Sequence, residues 1–278
     1  MKNYIILYFM ILAFTACEKE ANIKLPETAP KLSVSCFISD SIDLIRADIT
    51  WSNPVFSSSN NGIEPPSDLL VTISGGGITD TLTFDSEYFW YALPVSEFPL
   101  APGVEYTLNV AAPSGEKVSA KTKIPVLNPS ISSASVSESA SVDQYGNNMI
   151  DYTFRVVLNE LSSDKEYYRL VFYSTAINSE IPDEFLYNDV RGEVYADDNN
   201  VVSGKIFTEQ NITWYGVDSA QYSSFAYAIH ASEEYYRFHK ALANYNLSNP
   251  FVEPTLVFSN VENGLGVFAG YRQVRVDF

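Results

Sequence analysis

This sequence is poor in the residues that build metal sites and nucleophilic active sites. Its 278 residues include two cysteines, Cys17 and Cys36, and two histidines, His230 and His239. A structural zinc site takes about four Cys or His ligands, and neither a His-Glu-x-x-His nor a Gly-x-Ser-x-Gly pattern is present. A serine or cysteine nucleophile would need one of the two histidines as its base. We therefore predict no catalytic residue, no metal and no cofactor, and a protein that is not an enzyme.

One enzymatic alternative stays open. Paired-carboxylate glycosidase chemistry leaves no sequence motif, because its two acids need only meet in space. The chain has 34 aspartates and glutamates, so no particular pair can be selected. A surface glycan or peptide hydrolase is therefore the least favoured of the functions considered.

Basic residues are also scarce. The 17 lysines and arginines stand against 34 acidic residues, which gives a net charge of −17. Such a surface repels phosphate backbones and anionic lipid headgroups. Nucleic-acid binding is excluded on this basis, and attachment to a membrane must come from something other than charge.

Long hydrophobic runs are absent as well. The apolar run Tyr4–Phe14 follows Lys2 and is shorter than the roughly 20 residues that span a bilayer. It is typical of a secretion signal, and the tripeptide 15–17 resembles a bacterial lipobox, although Phe14 stands where leucine is usual. The sequence thus predicts a lipoprotein signal peptide over residues 1–16 and lipid attachment at Cys17. An ordinary secretory signal with a chance cysteine is the alternative.

The segment after the signal is predicted to be a tether. Residues 17–30 contain two prolines and several charges without an apolar period. Once Cys17 carries lipid, Cys36 has no partner for an intramolecular disulfide. Its surroundings in residues 32–38 favour a buried small hydrophobe over a reactive thiol.

The pattern that follows is that of β-strands. Residues 71–74 and 78–84 flank three glycines, which predicts a hairpin, whereas a phosphate-binding glycine loop would need a helix after it. Strands at 105–111 and 117–124 are separated by turn residues. Short strands at this spacing predict an antiparallel, immunoglobulin- or fibronectin-III-like β-sandwich over residues 31–127.

The second half, residues 128–278, is predicted to be a β-rich domain of its own. The serine- and proline-rich, charge-poor stretch 125–140 separates it from the first half, and we place the boundary near Asn128. Strand-like segments follow between residues 149 and 231. The expected fold class is therefore all-β, mostly antiparallel, with two β-sandwich modules.

An acidic tetrapeptide, residues 197–200, is predicted to form a turn. It begins like a calcium-binding EF-hand loop, but Val202 and Thr208 occupy the positions of the required glycine and glutamate. No metal site is therefore expected there.

One segment interrupts the β pattern. Residues 232–246 predict a single amphipathic helix, with Ser232 as N-cap and two glutamates at the positive end of the helix dipole. We expect His239 on the helix surface. Residues at three- and four-residue spacing define the face expected to pack on the core: Tyr235, Phe238, Leu242 and Tyr245.

Large aromatic side chains are the candidate ligand contacts. These residues could stack on sugar rings or fill a partner's pockets, and packing inside the sandwiches is the competing explanation for each. Alternation along a strand requires Trp90 and Tyr91 to face opposite sides, so one side is expected to be exposed. The candidates are Trp51, Trp90, Tyr91, Trp214 and Tyr215.

Four segments, together with the lipobox and the acidic residues after it, resemble one family. The segments are Pro102–Leu108, Ser232–Tyr236, Asn249–Phe251 and Ser259–Phe268. The combination resembles a family of Bacteroidota lipoproteins known as domain of unknown function 4249 (DUF4249) and covers nearly the whole mature chain. The resemblance implies an outer-membrane lipoprotein, often encoded near TonB-dependent receptors. It supplies no established ligand or catalytic residue.

The leading hypothesis is therefore a non-enzymatic lipoprotein that is anchored by lipid in the outer membrane. It would serve a TonB-dependent transporter as an accessory or ligand-binding partner in nutrient uptake. The acidic residues after Cys17 resemble an export signal to the cell surface, and the periplasmic face is the alternative location. A structural or adhesive surface module is the alternative function, and the ligand is left open.

Overall fold

The structure is a computed structural model that describes residues 29–52, 65–146, 148–162, 165–178, 185–215, 220–245 and 257–278, with side chains except in 174–189 and 214–223. The predicted signal peptide, the lipid-attachment residue Cys17 and nearly all of the tether lie outside the described residues. No helix in this part of the chain is long and apolar enough to cross a membrane.

The described residues form fifteen β-strands and one α-helix, and this confirms the all-β, mostly antiparallel class. The immunoglobulin-like detail stays a prediction. The strands of the first half are β1 (Leu32–Ile38), β2 (Leu44–Trp51), β3 (Leu70–Gly75), β4 (Ile78–Asp85), β5 (Trp90–Pro94), β6 (Glu105–Ala111) and β7 (Lys117–Lys123). The elements of the second half are β8 (Ile131–Val142), β9 (Asn148–Asn159), β10 (Tyr167–Asn178), β11 (Phe185–Asp197), β12 (Val201–Val202), β13 (Lys205–Tyr215), β14 (Ala220–Ala231), the helix α1 (Glu233–Ala243) and β15 (Leu265–Asp277).

The strands form two sheets. One has eleven strands in the order β11-β10-β14-β15-β1-β2-β5-β4-β3-β6-β7, and the other has four in the order β12-β13-β9-β8. β15 pairs in parallel with β1, while the other ladders in the described residues are antiparallel. The last strand thus lies beside the first.

The first core lies within the folded part of the large sheet. β4 pairs with β3 through residues 78–82 and with β5 through residues 83–85, so the sheet turns at this strand. Alternate residues of β1, β2, β3, β6 and β7 then meet in one mostly aliphatic core. Cys36 lies in it fully buried, as predicted, and burial raises the pKa of its thiol.

The second half has buried residues on both faces of β10 and β14. On one face, Tyr168, Leu170 and Phe172 of β10 pack against Phe154 and other residues of the four-stranded sheet. On the opposite face, Tyr167, Val171 and Tyr173 of β10 belong to a third cluster with the first turns of α1. Successive strand side chains point to opposite faces, so a strand covered on both sides reads as an almost continuous apolar run.

The predicted hairpin around the three glycines is confirmed. Gly75 pairs with Ile78 at the end of the β3–β4 ladder. The two turn residues, Gly76 and Gly77, have φ values of 59° and 86°. Positive φ at both positions is the backbone of a two-residue hairpin turn, where glycine carries no steric cost.

The interpretation of residues 125–140 as a separator is wrong for most of its length. Residues 131–142 form β8, an edge strand paired with β9. Nearly all of its side chains are exposed, so the strand needs no apolar alternation. The tetrapeptide 197–200 is the predicted turn, a short 3₁₀ segment capped by Asp197.

The predicted domain division near Asn128 stays a prediction. Residues Lys31–Ser52 and Asn61–Phe278 form one compact unit. Within it, Phe268 of β15 belongs to the first core although it lies far beyond the proposed boundary in sequence. Both halves of the chain therefore contribute strands to the large sheet.

Candidate functional site

The helix α1 begins as the sequence predicts, at an N-cap formed by Ser232, whose hydroxyl accepts a hydrogen bond from the Tyr235 amide at 3.3 Å. Its buried face differs from the prediction. Tyr235 and Tyr236 are buried, whereas Leu242 and Tyr245 are 51% and 38% exposed. The helix packs on the sheet through its first turns, where aromatic rings of the sheet meet it, and its last turn does not contribute to the core.

His239 lies against aromatic rings, which corrects the expectation of a surface histidine. Its ring stacks on Tyr235 with centroids 4.2 Å apart and lies 5.0 Å from the ring of Phe37 on β1. The sequence could not reveal this contact, because Phe37 comes from the opposite end of the described chain.

The protonation of His239 follows from its surroundings. Its Nδ1 lies 3.0 Å from the Tyr235 carbonyl oxygen, which can only accept, so Nδ1 carries the proton. Burial and then the charge of Arg169 lower the pKa of His239 from 6.5 to about 4. Near neutral pH the ring is therefore uncharged, and its Nε2 is a hydrogen-bond acceptor without a donor in the described residues.

A charged network lies on the sheet beneath the helix. Arg169 on β10 donates to both carboxylate oxygens of Glu193 on β11, at 2.6 and 3.3 Å, and to the Tyr235 hydroxyl at 2.8 Å. Tyr195 donates a short hydrogen bond to the same carboxylate. Burial acts to raise the pKa of Glu193, but these hydrogen bonds lower it overall, so the pair stays ionised.

A cavity of about 210 Å³ opens beside this network, and we call it the α1 pocket. Edge-to-face packing of Tyr173 and Tyr227, at 5.8 Å and 82°, shapes one side. Burial raises the pKa of Tyr271 to about 12 and also raises that of Tyr173, so both hydroxyls stay protonated. Besides Arg169, its principal lining residues are Phe37, Tyr173, Tyr227, His239, Tyr271 and Gln273.

Some polar groups of the α1 pocket are hydrogen-bonded within the protein and others are not. In the described residues no hydrogen-bond partner is found for the hydroxyls of Tyr173 and Tyr271 or for the amide of Gln273. Arg169, by contrast, is held by Glu193 and Tyr235. The pocket therefore presents neutral donors and acceptors between aromatic rings, which is the composition of a small-molecule binding site.

A larger cavity of about 590 Å³ contains the other histidine. His230 donates from Nδ1 to the Leu127 carbonyl oxygen at 2.8 Å, and its Nε2 lies 3.5 Å from Glu166. Glu166 also accepts hydrogen bonds from Ser162 at 3.0 Å and from Tyr168 at 2.6 Å.

The order of contacts in this cluster differs from that of a catalytic triad. In a triad the histidine touches the nucleophilic hydroxyl, and the carboxylate lies behind the histidine. Here the carboxylate of Glu166 lies between Ser162 and His230. The arrangement fastens the Leu127 carbonyl, in the connection between β7 and β8, to the second half of the chain.

Two of the predicted aromatic ligand contacts are partly buried residues of the first half. Trp51 ends β2 and is partly buried against the first core. Trp90 begins β5, where Tyr88 stacks on it at 4.8 Å and the Arg46 guanidinium lies 4.3 Å from its ring. No ring contact joins Trp51 to Trp90 in the described residues.

The remaining candidates have other positions. Tyr91 is buried and faces the core, opposite to Trp90, as alternation requires. Its hydroxyl donates to the Pro66 carbonyl at 2.8 Å and accepts from the Leu69 amide at 2.9 Å. Trp214 and Tyr215 end β13 opposite residues 149–150, and their side chains lie outside the described residues.

Of the residues that line the α1 pocket, the sequence singles out Tyr235 and His239, but neither as part of a binding site. One signal was present in β10, where Tyr167, Arg169, Val171 and Tyr173 alternate with the residues of the second core. A polar and aromatic face opposite an apolar one marks a second covered surface.

The structure thus defines an all-β protein of two sheets with an aromatic pocket under its single described helix. The model of a family described as "Domain of unknown function (DUF4249)" matches residues 18–276, and the chain belongs to this family. No curated protein matches the chain.

Two solved structures are distantly similar to the chain. A cytokine receptor complex in its second crystal form has 14% identity over 71% of this chain and 89% of its own, with a TM-score of 0.22. Chitinase ChiA74 from Bacillus thuringiensis has 14% identity over 72% of this chain and 30% of its own, with a TM-score of 0.18. At these TM-scores the similarity supports no conclusion about the fold or the function of this chain.

Proposed function

We propose that this protein is a non-enzymatic lipoprotein, anchored in the outer membrane through Cys17, that binds a small ligand for a TonB-dependent transporter in nutrient uptake. The α1 pocket is the observation that carries the binding role. Its rings enclose polar groups whose hydrogen-bonding capacity is not used within the described residues. A ligand that replaces water on these groups would gain orientation and specificity from them.

Anchoring and the transporter have separate support. Residues 1–17 support lipidation, because the apolar run ends at a cysteine. The transporter is supported by the resemblance to lipoproteins often encoded near TonB-dependent receptors. Exposure on the cell surface is our preferred location, with the periplasmic face as the alternative.

Crosslinking tests the proposal in native outer membranes. The tagged full chain is crosslinked, purified by affinity and analysed by mass spectrometry, with Cys17→Ala as the matched control. We expect one stoichiometric TonB-dependent transporter with the wild-type chain and its loss with the control. Recovery of no transporter from the wild-type chain would contradict the proposal.

An adhesive or structural module is the second candidate, and one surface feature favours it. Tyr88 and Phe89, in the turn between β4 and β5, are each 55% exposed, and Phe89 has a positive φ of 60°. Exposed aromatic rings are common anchors in protein interfaces. A deletion strain with an adhesion defect and normal growth on all nutrients tested would favour this candidate, whereas a nutrient-specific growth defect favours transport.

A further inference from the structure

The α1 pocket is small, and aromatic rings form part of its wall. At about 210 Å³ it is smaller than the roughly 300–1,000 Å³ of sites for drug-sized ligands. Phe37, Tyr173, Tyr227 and Tyr271 contribute aromatic surface to it. Flat apolar walls of this size suit one ring with apolar faces.

The polar groups of the pocket determine which hydrogen-bond donors and acceptors the edge of the ligand ring must carry. The hydroxyls of Tyr173 and Tyr271 and the amide of Gln273 can each donate and accept. His239 Nε2 can only accept while the ring is neutral. A ligand that satisfies all four needs both donors and acceptors around its edge, which hydroxyl groups supply.

Charge excludes the other simple ligand classes. A carboxylate or phosphate has no donor for His239 Nε2, and the Arg169 guanidinium is already held by Glu193. The chain's net charge of −17 also repels anions. A quaternary ammonium ligand has no acceptor for the hydroxyl donors of the pocket.

We infer that the α1 pocket binds one pyranose ring of a neutral sugar, with the apolar C–H faces of the sugar against the aromatic walls and its hydroxyls on Tyr173, Tyr271, Gln273 and His239. This inference rests on the proposed function, since it names the class of ligand that the lipoprotein captures. Free hexosides and the terminal ring of a glycan share this chemistry.

Saturation-transfer NMR and calorimetry on the full chain test the ligand class. The probes are the methyl glycosides of glucose, galactose, mannose and N-acetylglucosamine, with glucuronate and choline as charged comparisons. The chain is kept in a polyoxyethylene ether detergent, because sugar-headed detergents would compete. We expect at least one methyl glycoside to bind and both charged probes to fail.

Two pocket variants test whether the glycoside binds in the α1 pocket. Tyr271→Phe and Tyr173→Phe keep the rings and remove one hydroxyl each, and each should weaken glycoside binding three- to tenfold, the range for one neutral hydrogen bond. Tyr88→Phe, on the exposed turn of the first half, is the matched control and should bind as the wild type does. Circular dichroism and unfolding curves establish that each variant is folded.

Several outcomes would overturn the inference: binding of none of the glycosides, tighter binding of glucuronate or choline, or equal glycoside affinity in the wild type and both pocket variants. The transporter experiment separates this failure from failure of the proposed function. A chain that co-purifies with its transporter but binds no glycoside refutes only the ligand class. A chain that binds a glycoside but recovers no transporter refutes the transport role and leaves the sugar site intact.

Discussion

Two tyrosine hydroxyls of the α1 pocket differ from those of the first core. In the first core, the Tyr91 hydroxyl is paired with Pro66 and Leu69, and the Tyr106 hydroxyl accepts from the Ala101 amide at 2.7 Å. In the α1 pocket, the hydroxyls of Tyr173 and Tyr271 have no partner in the described part of the chain. The paired hydroxyls belong to the hydrogen bonding of the fold, whereas the two pocket hydroxyls are open to water or to a ligand.

This comparison separates stability from binding. The first core is mostly aliphatic and buried, so truncation of its side chains should destabilise the protein. The α1 pocket is aromatic and partly open, so its hydroxyls should be removable without unfolding. The predictions below test the separation, beginning with the largest expected effect.

Phe98→Ala should cause the largest loss. Phe98 is fully buried and packs at 6.0 Å from the ring of Tyr106. Truncation of a buried phenylalanine leaves a cavity, and we expect the free energy of unfolding to fall by about 4 kcal/mol in urea titrations. Phe89→Ala, at a residue that is 55% exposed, is the control and should stay within about 0.5 kcal/mol of the wild type. Equal losses in the two variants would contradict the assignment of the core.

Acidification should destabilise the protein through His239. Burial, followed by Arg169, lowers the pKa of His239 from 6.5 to about 4, so the unfolded chain takes up this proton at higher pH than the folded chain does. Its contribution is fully present above pH 6.5 and is lost as the pH falls towards 4. At about 1.4 kcal/mol per pKa unit, the loss is about 3 kcal/mol.

Unfolding curves between pH 7.5 and 4 measure this effect, and His239→Gln isolates it. The variant has no titrating ring, so its free energy of unfolding should fall less steeply over this range. Carboxylates remote from His239 contribute at the acidic end in both proteins and cancel in the difference, whereas Glu193, whose pKa His239 helps to lower, belongs to the measured effect. Parallel curves for the two proteins would show that His239 is not held neutral by the fold.

Tyr91→Phe should have an intermediate effect. The substitution keeps the ring in the core but leaves the Pro66 carbonyl and the Leu69 amide without their partner. Two unpaired polar groups at a largely buried site cost about 2 kcal/mol, which chemical unfolding would detect. Unchanged stability would mean that water replaces the hydroxyl at both groups.

Elements of the fold also differ in how well the sequence predicts them. β6 begins and ends at the residues expected, 105 and 111, because proline and glycine turns bracket an alternating segment. The three-glycine hairpin is equally local. By contrast, β8 was missed because exposed serines replace the apolar alternation that identifies a strand.

Pairing between strands that are distant in the sequence explains why the α1 pocket was not predicted. No local pattern in β1 indicates a parallel partner in β15, yet that ladder connects the strands of both halves. It brings Phe37 under the helix beside His239, and so completes one wall of the α1 pocket. Gly266 on β15 permits this pairing, because its φ is 103° and a Cβ atom there would lie 1.9 Å from the Val34 carbonyl oxygen.

The smallest stability effect is expected for Tyr173→Phe and Tyr271→Phe, and it sharpens the comparison most. These substitutions delete hydroxyls that pair with nothing in the described residues, so each should change the free energy of unfolding by less than about 0.5 kcal/mol. Urea unfolding beside Tyr91→Phe provides a direct contrast between the same chemical change in two settings. A loss as large as that of Tyr91→Phe would mean that these hydroxyls already have structural partners. Unchanged stability would instead leave them free for a ligand, which is the condition that a sugar-binding role for the α1 pocket requires.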